Sequence, residues 1–165
     1  MPDQVATPKV AAETIAALLE LQESTYRSDR SGLSHWWPPE HAMDAVELAR
    51  FLEGHRLCLL ATTSSRGEPQ IRPVRFTVDG YAFWIASGSS ERVRNLATNS
   101  SASLAVLEGE GSKHRFLLAE GTIVTHSSAS HNLHQLWRTR HGGDAGSFAT
   151  AWLELTPSRL FTYRP

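Results

Sequence analysis

The apolar residues of this chain change their spacing at Gly54, and this change constrains the fold more than any other sequence feature. Before Gly54 they recur at three- to four-residue intervals, which is the period of an amphipathic helix. After Gly54, short β-compatible runs alternate with clusters of serine, glycine, proline and aspartate that favour turns. The pattern predicts a helical N-terminal part followed by a mainly antiparallel sheet.

The β-compatible runs and the helical segments together indicate a small barrel. Asp79-Gly80 is typical of a two-residue hairpin turn, and Gly121 predicts a β-bulge. The predicted strands are 57–63, 71–78, 81–87, 102–107, 116–124, 152–155 and 159–163, and the predicted helices are 11–22, 43–52, one capped by Ser89 or Ser90, and 129–140. Six or seven mostly antiparallel strands with peripheral helices suit a closed or half-closed barrel of the α+β class.

Length and charge exclude several classes of protein. The chain has 165 residues, which predicts one domain, and a formal net charge of -1, which gives no global attraction to nucleic acid. Cys58 is the only cysteine, so an intramolecular disulfide is excluded and a buried apolar role is expected. No apolar run approaches the ~20 residues of a membrane span, and no signal peptide is recognisable. We expect a soluble, cytoplasmic protein without a membrane or nucleic-acid partner.

The segment from 71 to 96 carries the clearest chemical signal. Arg72, Val74 and Phe76 alternate along one predicted strand and therefore share a face. After the next strand, a glycine and three serines precede two arginines at a predicted helix start, in the order Ser87-Gly88-Ser89-Ser90-Glu91-Arg92-Val93-Arg94. Free backbone N–H groups, hydroxyls and guanidinium groups suit a phosphate, and the hairpin brings Arg72 to the same end of the sheet. A solvated helix with a serine cap is the alternative interpretation.

The order of several short motifs resembles the pyridoxamine 5'-phosphate oxidase-like family. The motifs lie between about residue 45 and Tyr163, and it is their order and spacing that is specific. They are Leu59-Leu60-Ala61-Thr62, Gly67-Glu68-Pro69-Gln70, Arg72-Pro73-Val74, Arg92-Val93-Arg94-Asn95-Leu96, Glu120-Gly121 and Leu153-Glu154-Leu155-Thr156-Pro157-Ser158-Arg159-Leu160.

The resemblance implies a fold, a cofactor and an assembly. It implies a six-stranded antiparallel split β-barrel of the FMN-binding type over residues 45–165, preceded by an N-terminal helical arm over 1–44. Two chains would form a homodimer with FMN at the interface and oxidise or reduce a small-molecule substrate. The residues that it implies for cofactor binding are Arg72, Val74, Phe76, Ser87, Ser90, Arg92, Arg94 and Tyr163.

Three positions depart from the pattern of the family. Ala86 stands where a threonine commonly meets the phosphate, Glu91 replaces an often basic residue, and Phe116 replaces a glutamine of the pyridoxamine phosphate oxidases. These departures weaken the expectation of that particular enzyme more than that of a cofactor pocket. The alternatives are a deazaflavin-dependent reductase, a flavin- or haem-binding module of the same fold without turnover, and a split barrel that has lost its cofactor and acts through its dimer surface. No catalytic acid or base is identified.

Histidines and tryptophans offer weaker signals. His126, His131 and His134 cluster in the sequence but lack a convincing fourth ligand, so no metal site is predicted. His114 and His35 are candidates for a haem-binding variant. We expect Trp36-Trp37 to pack the N-terminal arm onto the barrel.

Overall fold

The computed structural model of the protein describes residues 10–165, and the first nine residues of the predicted arm lie outside that range. The helices are α1 Ala12–Arg27, α2 Leu33–Trp36, α3 Ala45–Gly54, α4 Glu91–Thr98 and α5 His131–His141. The strands are β1 Leu57–Thr63, β2 Pro69–Arg75, β3 Thr77–Asp79, β4 Ala82–Ser87, β5 Ser101–Glu108, β6 Arg115–His126 and β7 Ala151–Tyr163.

All the strands belong to one antiparallel sheet in the order β2-β1-β5-β6-β7-β4-β3. The two edge strands, β2 and β3, are consecutive in the chain and separated only by Phe76. The sheet therefore curls until its edges lie beside each other, which makes it a split barrel, as predicted. Buried leucines, valines and phenylalanines from the strands fill the interior, together with Leu48 and Leu52 of α3.

The barrel has seven strands instead of six because the predicted strand 71–78 divides at Phe76. The Phe76 N–H donates to the carbonyl of Arg56 at 3.1 Å, which continues the register of β2 with β1 by one residue, and Thr77 is the first residue that pairs with β4. Residues before this point pair with β1, and residues after it pair with β4. The division allows one stretch of chain to serve both edges of the sheet.

The C-terminal strand corrects a second prediction. Residues 152–155 and 159–163 are not two strands with a turn between them; they belong to the continuous strand β7. Pro157 lies opposite Gly121, where the register of β6 and β7 shifts. A bulge accommodates a proline, which has no N–H to donate to the ladder. The bulge predicted at Gly121 is thereby confirmed.

The N-terminal helices pack against the sheet through specific polar contacts. The hydroxyl of Tyr26 on α1 donates to the carbonyl of Thr162 on β7 at 2.7 Å. Helix α3 begins with a capping box, in which Asp44 and Glu47 each accept a hydrogen bond from the backbone N–H of the other. Within residues 10–165, no helix has both the length and the apolar composition needed to cross a membrane.

Candidate functional site

Two hydroxyls and a guanidinium group meet where β4 ends and α4 begins. Ser87, the last residue of β4, is fully buried, and its Oγ lies 3.3 Å from Oγ of Ser90. The Nε of Arg92 donates to the same Ser87 oxygen at 3.1 Å. Ser90 is the N-cap residue of α4 but makes no side-chain cap bond, so its hydroxyl is directed to Ser87. We call Ser87, Ser90, Arg92 and Arg72 the oxyanion cluster.

Arg72 approaches this cluster from β2, because the curled sheet brings its two edges together. The predicted hairpin does not place it there, since β2 pairs with β1 and only β3 pairs with β4. A carboxylate oxygen of Glu91 lies 3.9 Å from Nη2 of Arg72, and the other carboxylate oxygen accepts a hydrogen bond from Nε2 of Gln70 at 2.8 Å. The amide of Asn95 donates to Gln70 at 2.8 Å and to Thr62 at 3.2 Å. Strands β1 and β2 are thus tied to α4 by a chain of polar contacts beneath the cluster.

The electrostatics of the cluster favour an anion. Partial burial lowers the pKa of the Arg92 guanidinium, and the positive charge of Arg72 lowers it further. Two guanidinium groups that repel each other at a partly buried position are stabilised when an oxyanion binds between them. Within the described chain, Glu91 is the only acidic side chain that contacts the cluster. Its carboxylate supplies part of the negative charge that a bound oxyanion would bring.

Four other predicted site residues lie in different surroundings. Val74 is 6 % exposed and Phe76 is fully buried, and both side chains belong to the barrel core. Any contact of these two residues with a cofactor would therefore involve the backbone. The Arg94 side chain is exposed, and within the described chain it takes part in no hydrogen bond or ion pair with another side chain.

Tyr163 is remote from the oxyanion cluster of its own chain. Ser87 pairs with Ala151, the first residue of β7, and Tyr163 is the last residue of that strand. Measured along β7, Tyr163 is therefore roughly 40 Å of extended chain away from the partner of Ser87, at ~3.3 Å per residue. Tyr163 instead stacks on His114 with ring centroids 4.8 Å apart and lies 5.6 Å from Phe116.

Trp37 covers this aromatic group. The Trp37 ring meets Phe116 edge-on at 5.2 Å, which packs the N-terminal part onto the barrel.

The three histidines that lie close together in the sequence have separate partners in the structure. His126 bonds to Glu154 at 2.7 Å, whereas His134 lies 3.9 Å from Asp144. Residues 10–165 contain no group of three or more side chains arranged to hold a metal ion.

The outer face of β2, β1 and β5 exposes large apolar side chains. Leu57, Ile71 and Leu107 are 59 %, 55 % and 61 % exposed. The register places them on one surface, because Ile71 pairs with Ala61 and alternate residues of a strand share a face. We call this surface the apolar sheet face; it also includes Leu59, Ala61, Ala105 and Leu118, which surround a shallow hollow of about 200 Å³.

A split barrel with an oxyanion cluster at the start of α4 is the architecture of a cofactor-binding split-barrel protein. Residues 45–164 match the model of the pyridoxamine 5'-phosphate oxidase family, and since the match covers most of the chain, the protein belongs to that family. No curated protein shows significant sequence similarity to it.

Solved structures have the same fold at low sequence identity. A conserved hypothetical protein from Mycobacterium tuberculosis superposes with a TM-score of 0.67 at 17 % identity, covering 78 % of this chain and 89 % of its own. The haem storage protein HutZ from Vibrio cholerae gives 0.62 at 18 %, covering 72 % and 93 %. A FAD-binding protein from Mesorhizobium loti gives 0.59 at 17 %, covering 73 % and 93 %. At these identities the likeness establishes the fold alone.

The sequence analysis did not include Gln70 and Asn95 among the site residues. Gln70 precedes Arg72 by two positions, so both side chains lie on the same face of the strand. This spacing could have identified Gln70 as a site residue. Asn95 lies on the buried side of α4, one helical turn after Glu91, and its amide needs partners because it is 5 % exposed. Their mutual hydrogen bond depends on the packing of α4 against β1, which the sequence does not specify.

Proposed function

We propose that the protein is an FMN-dependent oxidoreductase that acts on a small molecule as a homodimer. The observation that supports this most strongly is the oxyanion cluster, in which Arg92 and two serine hydroxyls converge beside Arg72. These donors suit the phosphate of the cofactor, with Ser87 and Ser90 donating hydroxyl hydrogens and the arginines supplying charge. When bound, the flavin itself supplies the hydride or electron-pair chemistry.

The chain's own groups have defined parts in this proposal. Arg72 and Arg92 bind the phosphate, and the polar contacts of Gln70 and Asn95 hold the two elements that carry them. The backbone of β2 beyond Arg72 offers a surface for the ring, because the Val74 and Phe76 side chains face the core. No acid or base is assigned, since a flavin hydride transfer does not require one.

The apolar sheet face supports the dimeric part of the proposal. Isolated exposed leucines are ordinary in proteins, but neighbouring strands that expose Leu57, Ile71 and Leu107 on one surface indicate an interaction site. A second copy packed on this face would shield these side chains from water. It would also offer its own Tyr163, which cannot reach the cluster within one chain.

Titration of the purified protein with FMN, followed by absorption and flavin fluorescence, tests the proposal. We expect saturable binding in the native chain and binding at least tenfold weaker in Arg92→Ala, because a charge-assisted contact is lost. Arg66→Ala is the matched control, since Arg66 is an exposed arginine paired only with Glu68. Absence of FMN binding, or an equal loss in both variants, would contradict the proposal. Binding of a deazaflavin coenzyme instead would select that alternative.

A haem-binding function is the second candidate, and the observation that favours it is the environment of His114. Its Nδ1 bonds to the carbonyl of Gly111, which leaves Nε2 without the proton and able to ligate iron. The ring stacks on Tyr163, which offers an aromatic surface beside that nitrogen. HutZ, a haem storage protein, has the same fold. A Soret band on haemin titration that is lost in His114→Ala, but not in His35→Ala, would support this function.

A further inference from the structure

A second basic region lies at the C-terminal end of α5, apart from the oxyanion cluster. A cavity of about 460 Å³ is lined there by Arg56, Leu57, Arg75, Thr139, Arg140, His141 and Gly142. It shares no lining residue with the oxyanion cluster. Arg72 and Arg75 are both on β2, but an odd spacing places them on opposite faces of that strand.

Within residues 10–165, Arg140 forms no salt bridge, although the charge of Glu53 acts on it from beyond 4 Å. Arg140 is 3 % exposed, and its Nη2 donates to the carbonyls of Leu52 and His55. Its guanidinium carbon lies 5.2 Å from the centre of the Phe76 ring, and its buried Nε has no hydrogen-bond partner. Burial and the charge of Arg56 lower the pKa of Arg140 to about 10 against the opposing effect of Glu53, and the group stays protonated at neutral pH.

The other basic side chains of the cavity are also without carboxylates. In residues 10–165, no carboxylate oxygen lies within 4 Å of a nitrogen of Arg56, Arg75 or Arg140. The Nε of Arg56 donates to the Arg140 carbonyl at 2.7 Å, which holds that side chain at the cavity. The His141 ring, which bonds to the Phe76 carbonyl at 3.0 Å, has a pKa lowered to about 4 and is neutral. The positive potential therefore comes from three arginines.

Arg56 and Arg75 are exposed at one concave site and, within residues 10–165, neither forms a salt bridge, so the site attracts an anion from solution. The buried Arg140, whose charge Glu53 offsets in part, adds to the positive potential. We propose that this cavity binds the oxyanion group, a carboxylate or a phosphate, of a small molecule, with Arg56 and Arg75 as its direct donors. Planar guanidinium forks match the paired oxygens of either group. Leu57, which also belongs to the apolar sheet face, adds an apolar wall, and the cavity volume lies within the range of small-molecule sites. The site therefore adjoins the proposed dimer interface, but its charged donors, Arg56 and Arg75, have no part in the proposed flavin chemistry.

Amide-resolved NMR of the full chain tests the site with two probes, inorganic phosphate and benzoate, each titrated at constant ionic strength. We expect saturable shifts of the amides of Thr139, His141 and Gly142 with at least one probe. The dissociation constant should rise about tenfold in Arg75→Ala and in Arg56→Ala. Arg138→Ala is the control, because Arg138 lies on α5 and pairs with Asp144 outside the cavity.

Each result has a defined meaning. A response to phosphate alone identifies a phosphorylated ligand, and a response to benzoate alone identifies a carboxylate. No saturable shift with either probe, or an equal loss in Arg138→Ala, would overturn the proposal. Phosphate binding at the oxyanion cluster appears separately, in the amides of Ser90 to Val93, and is weakened by Arg92→Ala. Failure of one site is therefore distinguishable from failure of the other.

Discussion

The carboxylate of Glu91 accepts a hydrogen bond from Gln70 at 2.8 Å and lies 3.9 Å from Arg72, so an acidic side chain occupies the approach to the oxyanion cluster. A bound phosphate would have to share this region with it. Because like charges repel, the carboxylate opposes a phosphate that the arginines attract. Glu91 therefore sets how strongly the cluster distinguishes a phosphorylated ligand from an uncharged one.

Glu91→Gln should bind FMN more tightly than the native chain. The substituted amide keeps an acceptor for Gln70 but removes the negative charge. We expect FMN affinity to rise about three- to tenfold, the effect of a partly screened charge near the site. Fluorescence titration measures it, and riboflavin, which lacks the phosphate, should show almost no change. An equal gain for both ligands would indicate a general effect on the pocket and contradict the electrostatic explanation.

Ile71→Lys should prevent dimer formation. An ammonium group within the apolar sheet face would be buried without a partner in the proposed dimer, which is strongly unfavourable. We expect the native chain to elute as a dimer in size-exclusion chromatography with light scattering, and the variant as a folded monomer. Val46→Lys is the control, since Val46 is 57 % exposed on α3, away from the sheet. A native chain that is already monomeric would refute the dimer.

Local sequence patterns predicted most of the helices, strands and turns, because these elements depend on residues that are close together in the chain. The predicted hairpin joins β3 and β4, but its turn residues are Gly80 and Tyr81 instead of Asp79 and Gly80, and Gly80 has the positive φ that such a turn requires. The division of the strand at Phe76 was missed, because it depends on a change of pairing partner from β1 to β4, which local patterns do not indicate. Pro157 was interpreted as a turn, since its tolerance in a strand depends on the bulge in which the next residue of β7, Ser158, stays unpaired with β6.

The candidate site was predictable to the extent that its residues are close in sequence. Ser87, Ser90 and Arg92 lie in one short segment, and closure of the sheet, not the predicted hairpin, brings Arg72 to them. Tyr163 was placed at the cofactor by family resemblance alone, and its distance from Ser87 along β7 follows from a strand continuity that the sequence did not indicate. The role of these residues in cofactor binding stays a prediction.

His141 should make the stability of the protein fall in mild acid. Its pKa is lowered from 6.5 to about 4, chiefly by burial and also by Arg140, Arg75 and Arg56. Between these pH values the unfolded chain binds more protons than the folded one, so the free energy of unfolding decreases as pH falls from 6.5 towards 4. We expect a contribution of about 1 kcal/mol, because the half-buried ring is partly screened by solvent.

Urea denaturation at several pH values measures this contribution. His141→Gln retains a donor for the Phe76 carbonyl but does not titrate, so its stability should depend less steeply on pH across that window. His35→Gln, which alters a histidine outside the core, should keep the native slope. Identical slopes in the native chain and in His141→Gln would show that His141 does not govern the acid response.

Gly121→Ala should destabilise the barrel at the bulge between β6 and β7. A Cβ at this position would lie 2.1 Å from the carbonyl oxygen of Thr156 and 2.9 Å from Cα of Pro157. Both are backbone atoms, so the strands would have to separate, and we expect a loss of about 3 kcal/mol in the free energy of unfolding. Gly54→Ala is the matched control, because a Cβ there meets nothing within 4 Å and Gly54 ends helix α3. It should stabilise the protein by about 0.5 kcal/mol. Thermal unfolding of both variants measures the difference. A Gly121→Ala variant as stable as the native chain would mean that the close approach of β7 to β6 is not needed to hold the split barrel together.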